Sequence, residues 1–385
     1  MPFILDIATA VPPFSVSKDE MVEFYSGTLD SNSDSSVRKK LRIISQKTRI
    51  ETRYSCIPDF KGKVTELFAD GERNPDVEKR LNVFNLKAVS LGKIAVEKLL
   101  DSSEVKPNEV THLITVTCTG VSAPGLEFLL AEEMGLMHTE KLGINFLGCY
   151  AALKALKHAQ YIAKADPKAV ILIVCVELCS LHFAPSLKDE DVLANLLFAD
   201  GAAATLVCGD NSGYGKHTPV LRIDDIGSAY IPGTMDLMTW NVSSKAFRMF
   251  LSKHIVDAIG SSIEPVVSAF LKCEPAEIDL WAIHPGGVRI VEAVQKSLAL
   301  HDKAVEDSLN VLYNYGNMSS PTILFILNEM LVKIRNEVPH KSKKIFTCAF
   351  GPGLNIEMLK LSVMNPGVVH EIKKNRNAVS TSIHT

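Results

Sequence analysis

Three polar side chains stand where predicted strands end or predicted helices begin. Cys149 follows a short apolar run and Gly148, and an alanine- and leucine-rich helical pattern begins after it. His284 follows the apolar residues 280–283, and Asn317 lies between Gly316 and a helical pattern that opens near Pro321. A thiol nucleophile, an imidazole base and an amide donor form a set suited to acyl transfer. The sequence therefore predicts a nucleophilic site made of Cys149, His284 and Asn317.

The surroundings of Cys149 suggest how its thiol would be activated. Leu153, Leu156, Ala159 and Ala163 recur at helical spacing, so Cys149 falls near the N-terminus of a mostly buried helix. The positive end of the helix dipole favours the thiolate, which is the nucleophilic form. Each residue alone has a structural interpretation: a packed core cysteine, a structural histidine, a helix-capping asparagine. Their combination favours chemistry.

The first half of the chain alternates predicted strands with predicted helices. Strands are expected over residues 3–11, 112–118, 144–147 and 169–176, and helices over 83–100 and 126–133. This alternation predicts a parallel sheet covered on both faces, with its site at the carboxyl ends of the strands. Cys118 and Cys149 both lie at such ends.

The second half repeats this order. A strand over 280–283 precedes His284 and a helix over 288–300, and later strands are expected over 345–350 and 354–361. The openings at Cys149 and Asn317 are then equivalent positions in a duplicated α/β unit. We expect a first half over residues 1–215, a second half over 216–365, and a loose polar tail over 366–385.

Composition excludes several classes of protein. The 385 residues are 46% apolar and 22% charged with a net charge of −3, which argues against a nucleic-acid or membrane-surface protein as a whole. No run of 18 apolar residues or basic leader occurs, so neither membrane spanning nor secretion is expected. The eight cysteines lack paired or zinc-type spacing, which fits reduced thiols in a cytoplasm.

One segment departs from the acidic average. Residues 37–53 contain seven basic residues and one acidic residue, Glu51; the basic positions are 38, 39, 40, 42, 47, 49 and 53. This excess of basic residues predicts either a solvated helix face or a phosphate-binding site.

Five stretches together resemble one known family. They are Gly148-Cys149, residues 197–204 (Leu-Phe-Ala-Asp-Gly-Ala-Ala-Ala), 282–287 (Ala-Ile-His-Pro-Gly-Gly), 315–320 (Tyr-Gly-Asn-Met-Ser-Ser) and 350–354 (Phe-Gly-Pro-Gly-Leu). In this order they resemble the motifs of type III polyketide synthases, the chalcone-synthase-like enzymes, over about residues 1–362. The resemblance implies a thiolase fold, with duplicated α/β units in five αβαβα layers, and a homodimer.

The resemblance also implies roles for the three central residues. Cys149 would take an acyl starter from coenzyme A, and a paired His284 would keep its thiolate populated. His284 and Asn317 would then donate hydrogen bonds to the thioester oxygen of malonyl-CoA while it loses CO2. Phe198 and Phe247 match the family's gatekeeping aromatic residues. Metal ions, flavin and nicotinamide are not needed; acyl-CoA and malonyl-CoA are substrates.

Further positions carry implied roles in substrate binding. Lys40 and Lys47 match sites that bind coenzyme A phosphates, and Gly351 and Pro352 belong to the motif at 350–354. Cys118 replaces a threonine of the plant enzymes and, with Glu177 and Ser319, matches a water-activating network that is linked to ring closure. Ala123 replaces a methionine that reaches into the partner's cavity. These substitutions leave the mode of cyclisation open.

Two further segments of the sequence favour a particular class of product. Residues 238–252 and 177–183 resemble bacterial enzymes that make alkylpyrones and alkylresorcinols, which predicts a fatty acyl starter. The alternative in the same fold is ketoacyl synthase III, which condenses once on acyl carrier protein. A third possibility, an inactive scaffold, is disfavoured by the complete set of Cys149, His284 and Asn317.

Overall fold

The computed structural model describes residues 1–29, 35–62, 64–69, 72–337 and 342–365; the predicted tail over 366–385 lies outside these residues. The strands are β1 (Phe3–Ala10), β2 (Phe14–Ser17), β3 (Thr52–Ser55), β4 (His112–Thr117), β5 (Glu140–Asn145), β6 (Val170–Leu178), β7 (Asp200–Cys208), β8 (Val220–Tyr230), β9 (Met238–Val242), β10 (Phe247–Leu251), β11 (Leu280–Ile283), β12 (Lys344–Gly351) and β13 (Asn355–Met364). The helices are α1 (Lys18–Thr28), α2 (Ser35–Thr48), α3 (Val77–Ser102), α4 (Leu126–Glu133), α5 (Ala151–Ala165), α6 (Asp189–Leu197), α7 (Ile255–Leu271), α8 (Val288–Ser297), α9 (Glu306–Tyr315) and α10 (Pro321–Asn336).

The predicted elements near the site are mostly confirmed. Helix α4 and strand β11 have the predicted bounds, and α3 is longer than predicted at both ends. Strand β5 ends at Asn145, earlier than predicted, because Phe146 has a left-handed backbone (φ 58°) that no strand can continue through. The chain leaves the sheet at this point and reaches Cys149 through an irregular turn.

The prediction of a parallel sheet is wrong, because the main sheet is mixed. Nine strands lie in the order β11-β12-β13-β8-β1-β7-β6-β4-β5. Strand β4 runs parallel to β5 and β6, and β11 runs parallel to β12, whereas the other neighbours are antiparallel. A tight turn at residues 352–354 forces β13 back along β12. Helices cover both faces, so antiparallel strands are as uniformly apolar as parallel ones.

The predicted duplication is confirmed by the strand order. The series β1-β7-β6-β4 in the first half has its counterpart in β8-β13-β12-β11 in the second. The two series meet where β1 pairs with β8, at Phe3 with Arg222 and Ile4 with Leu221. One short antiparallel contact therefore joins two similar half-sheets edge to edge.

Alternation of side chains along the strands builds five layers. In β6, Leu172 packs in the core that contains α3, whereas Ile173 packs against the central helices α5 and α10. In β12, Phe346 faces the core with α7 and α8, and Ile345 faces the same central helices. Because successive side chains of each strand point to opposite faces, α5 and α10 pack between the half-sheets and further helices pack on their outer faces. None of the described helices combines the length and apolar character that a membrane span requires.

Candidate active site

Cys149 lies just before the N-terminus of α5. The residue that precedes it must be glycine. Gly148 has a left-handed backbone (φ 81°), and a Cβ atom there would lie 2.5 Å from Cδ of Pro352. The Gly148 N–H donates to Sγ of Cys118 at 3.0 Å. The end of β4 and the turn between β12 and β13 therefore fix the nucleophile's turn from two sides.

Opposing effects act on the pKa of Cys149. Burial raises the pKa of the Cys149 thiol to about 11, and hydrogen bonding by Ser319 and Asn317 opposes that rise without reversing it. Desolvation of the anion thus opposes the helix dipole, which is predicted to favour the thiolate.

Asn317 reaches the same place from the second half of the chain. Its backbone pairs with the segment around Phe198: its N–H donates to O of Leu197 at 3.1 Å, and its O accepts from N–H of Ala199 at 2.9 Å. Its Oδ1 accepts from the Ser319 N–H at 2.8 Å, which identifies the amide oxygen. The amide nitrogen is left free for the Cys149 thiol, whose pKa Asn317 helps to lower.

His284 is fully buried at the end of β11. Its backbone N–H donates to O of Cys348 at 2.9 Å. Neither ring nitrogen has a hydrogen-bond partner within the described part of the chain, and burial lowers the pKa of His284 to about 3. An unpartnered buried imidazole is costly, which marks it as a group kept for a purpose other than stability. No hydrogen bond joins it to Cys149, so the predicted pairing stays a prediction.

A mostly apolar cleft, partly open to solvent, reaches Cys149. Both predicted gatekeepers, Phe198 and Phe247, border it, as do the predicted substrate-binding residues Cys118, Ser319 and Pro352. The remaining predicted site residues do not border it: His284, Asn317, Glu177, Gly351, Lys40, Lys47 and Ala123. Gly351 lies against the Tyr150 ring, and Ala123 lies in an exposed loop.

The hairpin β9–β10 forms the apolar wall of this cleft. Met238 and Trp240 from β9, with Phe247 and Met249 from β10, all border the cavity. Trp240 lies opposite Met249 in the strand register, and the four alternating positions are apolar, while Arg248 between them also borders the cavity. A wall of this composition fits a hydrocarbon chain.

Of its two predicted partners, Glu177 hydrogen-bonds to Cys118 but not to Ser319. Glu177 is fully buried and accepts from the Cys118 N–H at 2.9 Å and from the hydroxyls of Thr119 and Ser320 at 2.8 and 2.7 Å. Burial raises the pKa of Glu177 to about 7. Ser319 has a left-handed backbone (φ 59°) and interacts with Cys149 instead. Sequence reasoning missed Thr119 and Ser320, although each directly follows a residue that it selected.

The basic run divides into separate groups. Arg53 is buried and donates to the carbonyls of Leu196 and Phe198, so including it among surface cations was wrong. Three others form ion pairs, namely Arg38 with Glu23, Lys40 with Asp189 and Arg49 with Glu292. The exposed residues Lys39, Arg42 and Lys47 have no ion-pair partner among the residues described.

Comparison with known proteins identifies the family. The model for the N-terminal domain of chalcone and stilbene synthases matches residues 2–211, and the model for their C-terminal domain matches residues 225–365. The chain therefore belongs to the chalcone and stilbene synthase family. It is a type III polyketide synthase with the thiolase fold, an acyltransferase that performs decarboxylative condensation.

Individual relatives agree with this assignment. The alpha-pyrone synthesis polyketide synthase-like Pks18 of Mycobacterium tuberculosis is 31% identical over 86% of this chain and 84% of its own length. Probable polyketide synthase 1 of Dictyostelium discoideum is 29% identical over 92% of this chain, which spans only 11% of that protein. The crystal structure of PKS-I from the brown alga Ectocarpus siliculosus superposes with a TM-score of 0.87 at 28% identity, covering 94% of this chain and 98% of that one.

Proposed function

We propose that this enzyme takes a fatty acyl group from coenzyme A onto Cys149, extends it with malonyl-CoA, and cyclises the product to an alkylpyrone or alkylresorcinol. The observation that carries the proposal is the apolar wall of β9–β10 beside Cys149. Similarity to a relative named for alpha-pyrone synthesis supports the product class. Family membership favours this reaction over a single condensation of the ketoacyl synthase III type.

In the loading step, His284 acts as the base. With the pKa of Cys149 at about 11 and that of His284 at about 3, the resting pair is a neutral thiol and a neutral imidazole. As Sγ of Cys149 attacks the acyl-CoA carbonyl carbon, His284 takes the thiol proton. The tetrahedral intermediate collapses with loss of the coenzyme A thiolate, which recovers that proton from His284.

In the extension step, His284 and Asn317 act as hydrogen-bond donors. They bind the thioester oxygen of malonyl-CoA, where negative charge develops as CO2 leaves and an enolate forms. The enolate carbon attacks the acyl group on Cys149, forming the new C–C bond and releasing the cysteine sulfur. The unpartnered ring nitrogens of His284 and the contact of the Asn317 side chain with the Cys149 thiol support this assignment. The exposed cations Lys39, Arg42 and Lys47 would bind coenzyme A phosphates.

Other parts of the proposal follow from the family. Only coenzyme A thioesters are required, without metal or redox cofactor, and the enzyme acts as a cytoplasmic homodimer. The first catalytic half comprises residues 1–215 and the second residues 216–365. Ala123 would then border the partner's cavity rather than its own.

The test is product analysis with a starter series and labelled malonyl-CoA, without carrier protein. We expect kcat/KM to rise from hexanoyl-CoA to dodecanoyl-CoA, because each buried CH2 contributes about 0.8 kcal/mol. Pyrone or resorcinol products support the proposal. A single ketoacyl thioester, or better use of coumaroyl-CoA than of every fatty acyl-CoA, would contradict it.

Variants separate the roles of the site residues. Cys149→Ala should abolish condensation while keeping some malonyl-CoA decarboxylation, since the two donors remain. Asn317→Ala or His284→Ala should lower decarboxylation by roughly a hundredfold or more. Release of labelled CO2 measures this, and normal release from Asn317→Ala would exclude its role as a donor.

A further inference from the structure

The hairpin β9–β10 stands apart from the main sheet. It forms a two-stranded sheet of its own, so no ladder of backbone hydrogen bonds fixes it to the nine-stranded sheet. Isolated two-stranded hairpins are marginally stable. The position of the cavity wall that carries Trp240 and Phe247 therefore depends on individual contacts to the body of the enzyme.

One of these contacts is made by His182, which is buried beside the hairpin and also borders the cavity. Its Nδ1 accepts from the Phe247 N–H at 3.1 Å, and its Nε2 lies 2.7 Å from O of Thr119. Because Nδ1 accepts, Nε2 carries the proton and donates to Thr119. The His182 and Phe247 rings are stacked, with centroids 4.2 Å apart and planes 9° from parallel. His182 thus connects the end of β4 to the hairpin.

The backbone around His182 is held in turn by Arg80 of α3. Arg80 is fully buried and donates to the carbonyls of Leu181 and Phe183, which flank His182 in sequence. Its Nε also donates to O of Lys245 at 2.6 Å, in the turn that leads into β10. The remaining acceptors are O of Pro75 and Oδ1 of Asn74, so every acceptor in these bonds is a carbonyl or amide oxygen.

We propose that Arg80 is a positioning residue for the acyl cavity. One guanidinium ties the His182 segment and the hairpin turn to a single point, which sets the stack of His182 on Phe247 and therefore the width of the cavity. The planar, multiply donating guanidinium suits this role, because the ammonium of lysine cannot reproduce its fixed fork of donors. The effect on starter selection rests on the proposed function; the effect on the hairpin does not.

The test compares Arg80→Lys with Lys87→Met, which removes an exposed cation of the same helix that pairs with Glu66. Hydrogen exchange measured by mass spectrometry reports the hairpin directly. We expect the amides of residues 238–251 to exchange roughly tenfold faster in Arg80→Lys, the effect of one or two lost hydrogen bonds, with the α5 and β6 amides unchanged. Lys87→Met should leave both sets of amides unchanged.

Kinetics supply the second readout. In Arg80→Lys we expect kcat/KM for the longest accepted acyl-CoA to fall about tenfold while starter-free malonyl-CoA decarboxylation stays within about threefold of wild type. Unchanged hairpin exchange in a folded Arg80→Lys variant would overturn the proposal. So would faster exchange throughout the protein, which would mean a merely structural role. Wild-type enzyme that makes no polyketide would refute the proposed function, and the exchange result would still decide the role of Arg80.

Should Arg80→Lys fail to fold, Trp240→Phe tests the same dependence. It removes the Trp240 Nε1–H bond to O of Cys118, a separate 2.7 Å tether of the hairpin. If tethers position the wall, this variant also exchanges faster within residues 238–251 and loses selectivity between starter lengths. Unchanged exchange and selectivity would show that the wall does not depend on its tethers, contrary to the proposal.

Discussion

At the scale of single residues, burial controls the chemistry of this site. Cys149 and His284 are both shifted towards their neutral forms, with pKa values of about 11 and about 3. The helix that opens after Cys149 and the polar groups of Ser319 and Asn317 favour the thiolate, but they do not offset desolvation. In the proposed function the thiolate therefore forms during attack, as His284 accepts the proton.

This predicts how Cys149 responds to pH. Its alkylation by iodoacetamide should accelerate by nearly tenfold per pH unit between about pH 6 and about pH 9, because the thiolate fraction rises so far below the pKa. Mass spectrometry of the Cys149 peptide gives the rate. His284→Ala should show the same slope. A rate that is constant between about pH 6 and about pH 8 would instead mean a resting thiolate–imidazolium pair.

Sequence could indicate where candidate residues lie but not their protonation states. Residue types and spacing selected Cys149 and Asn317, which the structure brings together, and family resemblance selected Phe198 and Phe247, which border the cavity. Protonation depends on how much protein surrounds a group, which spacing does not encode. The exchange of Ser319 for Ser320 at Glu177 depends on one left-handed backbone angle, which is also set by the surroundings.

At the scale of elements, two turns pack together and fix the position of Cys149. The Gly148 turn before α5 and the turn at residues 352–354 between β12 and β13 come from opposite halves of the chain. The first supplies Cys149, and the second places the Pro352 ring against Gly148. Docking of the two half-sheets is thus coupled to the geometry of the site.

The coupling predicts that Gly148→Ala is unusually damaging. Gly135, after α4, is the matched control because it is also left-handed (φ 68°) but has no atom within 4 Å of an added Cβ. Both substitutions should lower the free energy of unfolding by roughly 1–3 kcal/mol through backbone strain. Gly148→Ala should add about 1–3 kcal/mol for overlap with Pro352. Urea unfolding measures both free energies. Equal decreases for the two variants would show that Pro352 moves aside without an energetic cost.

Element types were more predictable than element directions. Apolar periodicity located α4, β11 and the repeated order of the two halves, because each pattern reflects burial of a local face. It could not show that β7 and β13 run antiparallel to their neighbours, since both strands are buried on both faces in either direction. The hairpin β9–β10 was selected by resemblance rather than by periodicity.

At the scale of the whole molecule, charge is unevenly distributed. The net charge is −3, yet α2 contains no acidic residue and presents the exposed cations Lys39, Arg42 and Lys47. Helix α2 packs against α6, which leads directly to Phe198 at the cavity. The basic surface of α2 therefore belongs to a helix that packs against the element leading to the cavity.

This arrangement predicts how substrate affinity depends on charge. Lys47→Glu should raise KM for acyl-CoA and malonyl-CoA several-fold and leave kcat nearly unchanged, because in the proposed function it reverses a charge that binds the phosphates but does not contact the reacting carbons. Added salt should weaken binding to the wild type more than to the variant, since screening acts on the attraction that the variant has lost. The matched control is Lys164→Glu, which makes the same change in net charge on the last turn of α5, about 20 Å along that helix from Cys149. Steady-state kinetics at two ionic strengths measure all three proteins. If Lys164→Glu raises KM as much as Lys47→Glu, the attraction comes from total charge; if neither variant changes KM, the cations of α2 are only a solvated surface.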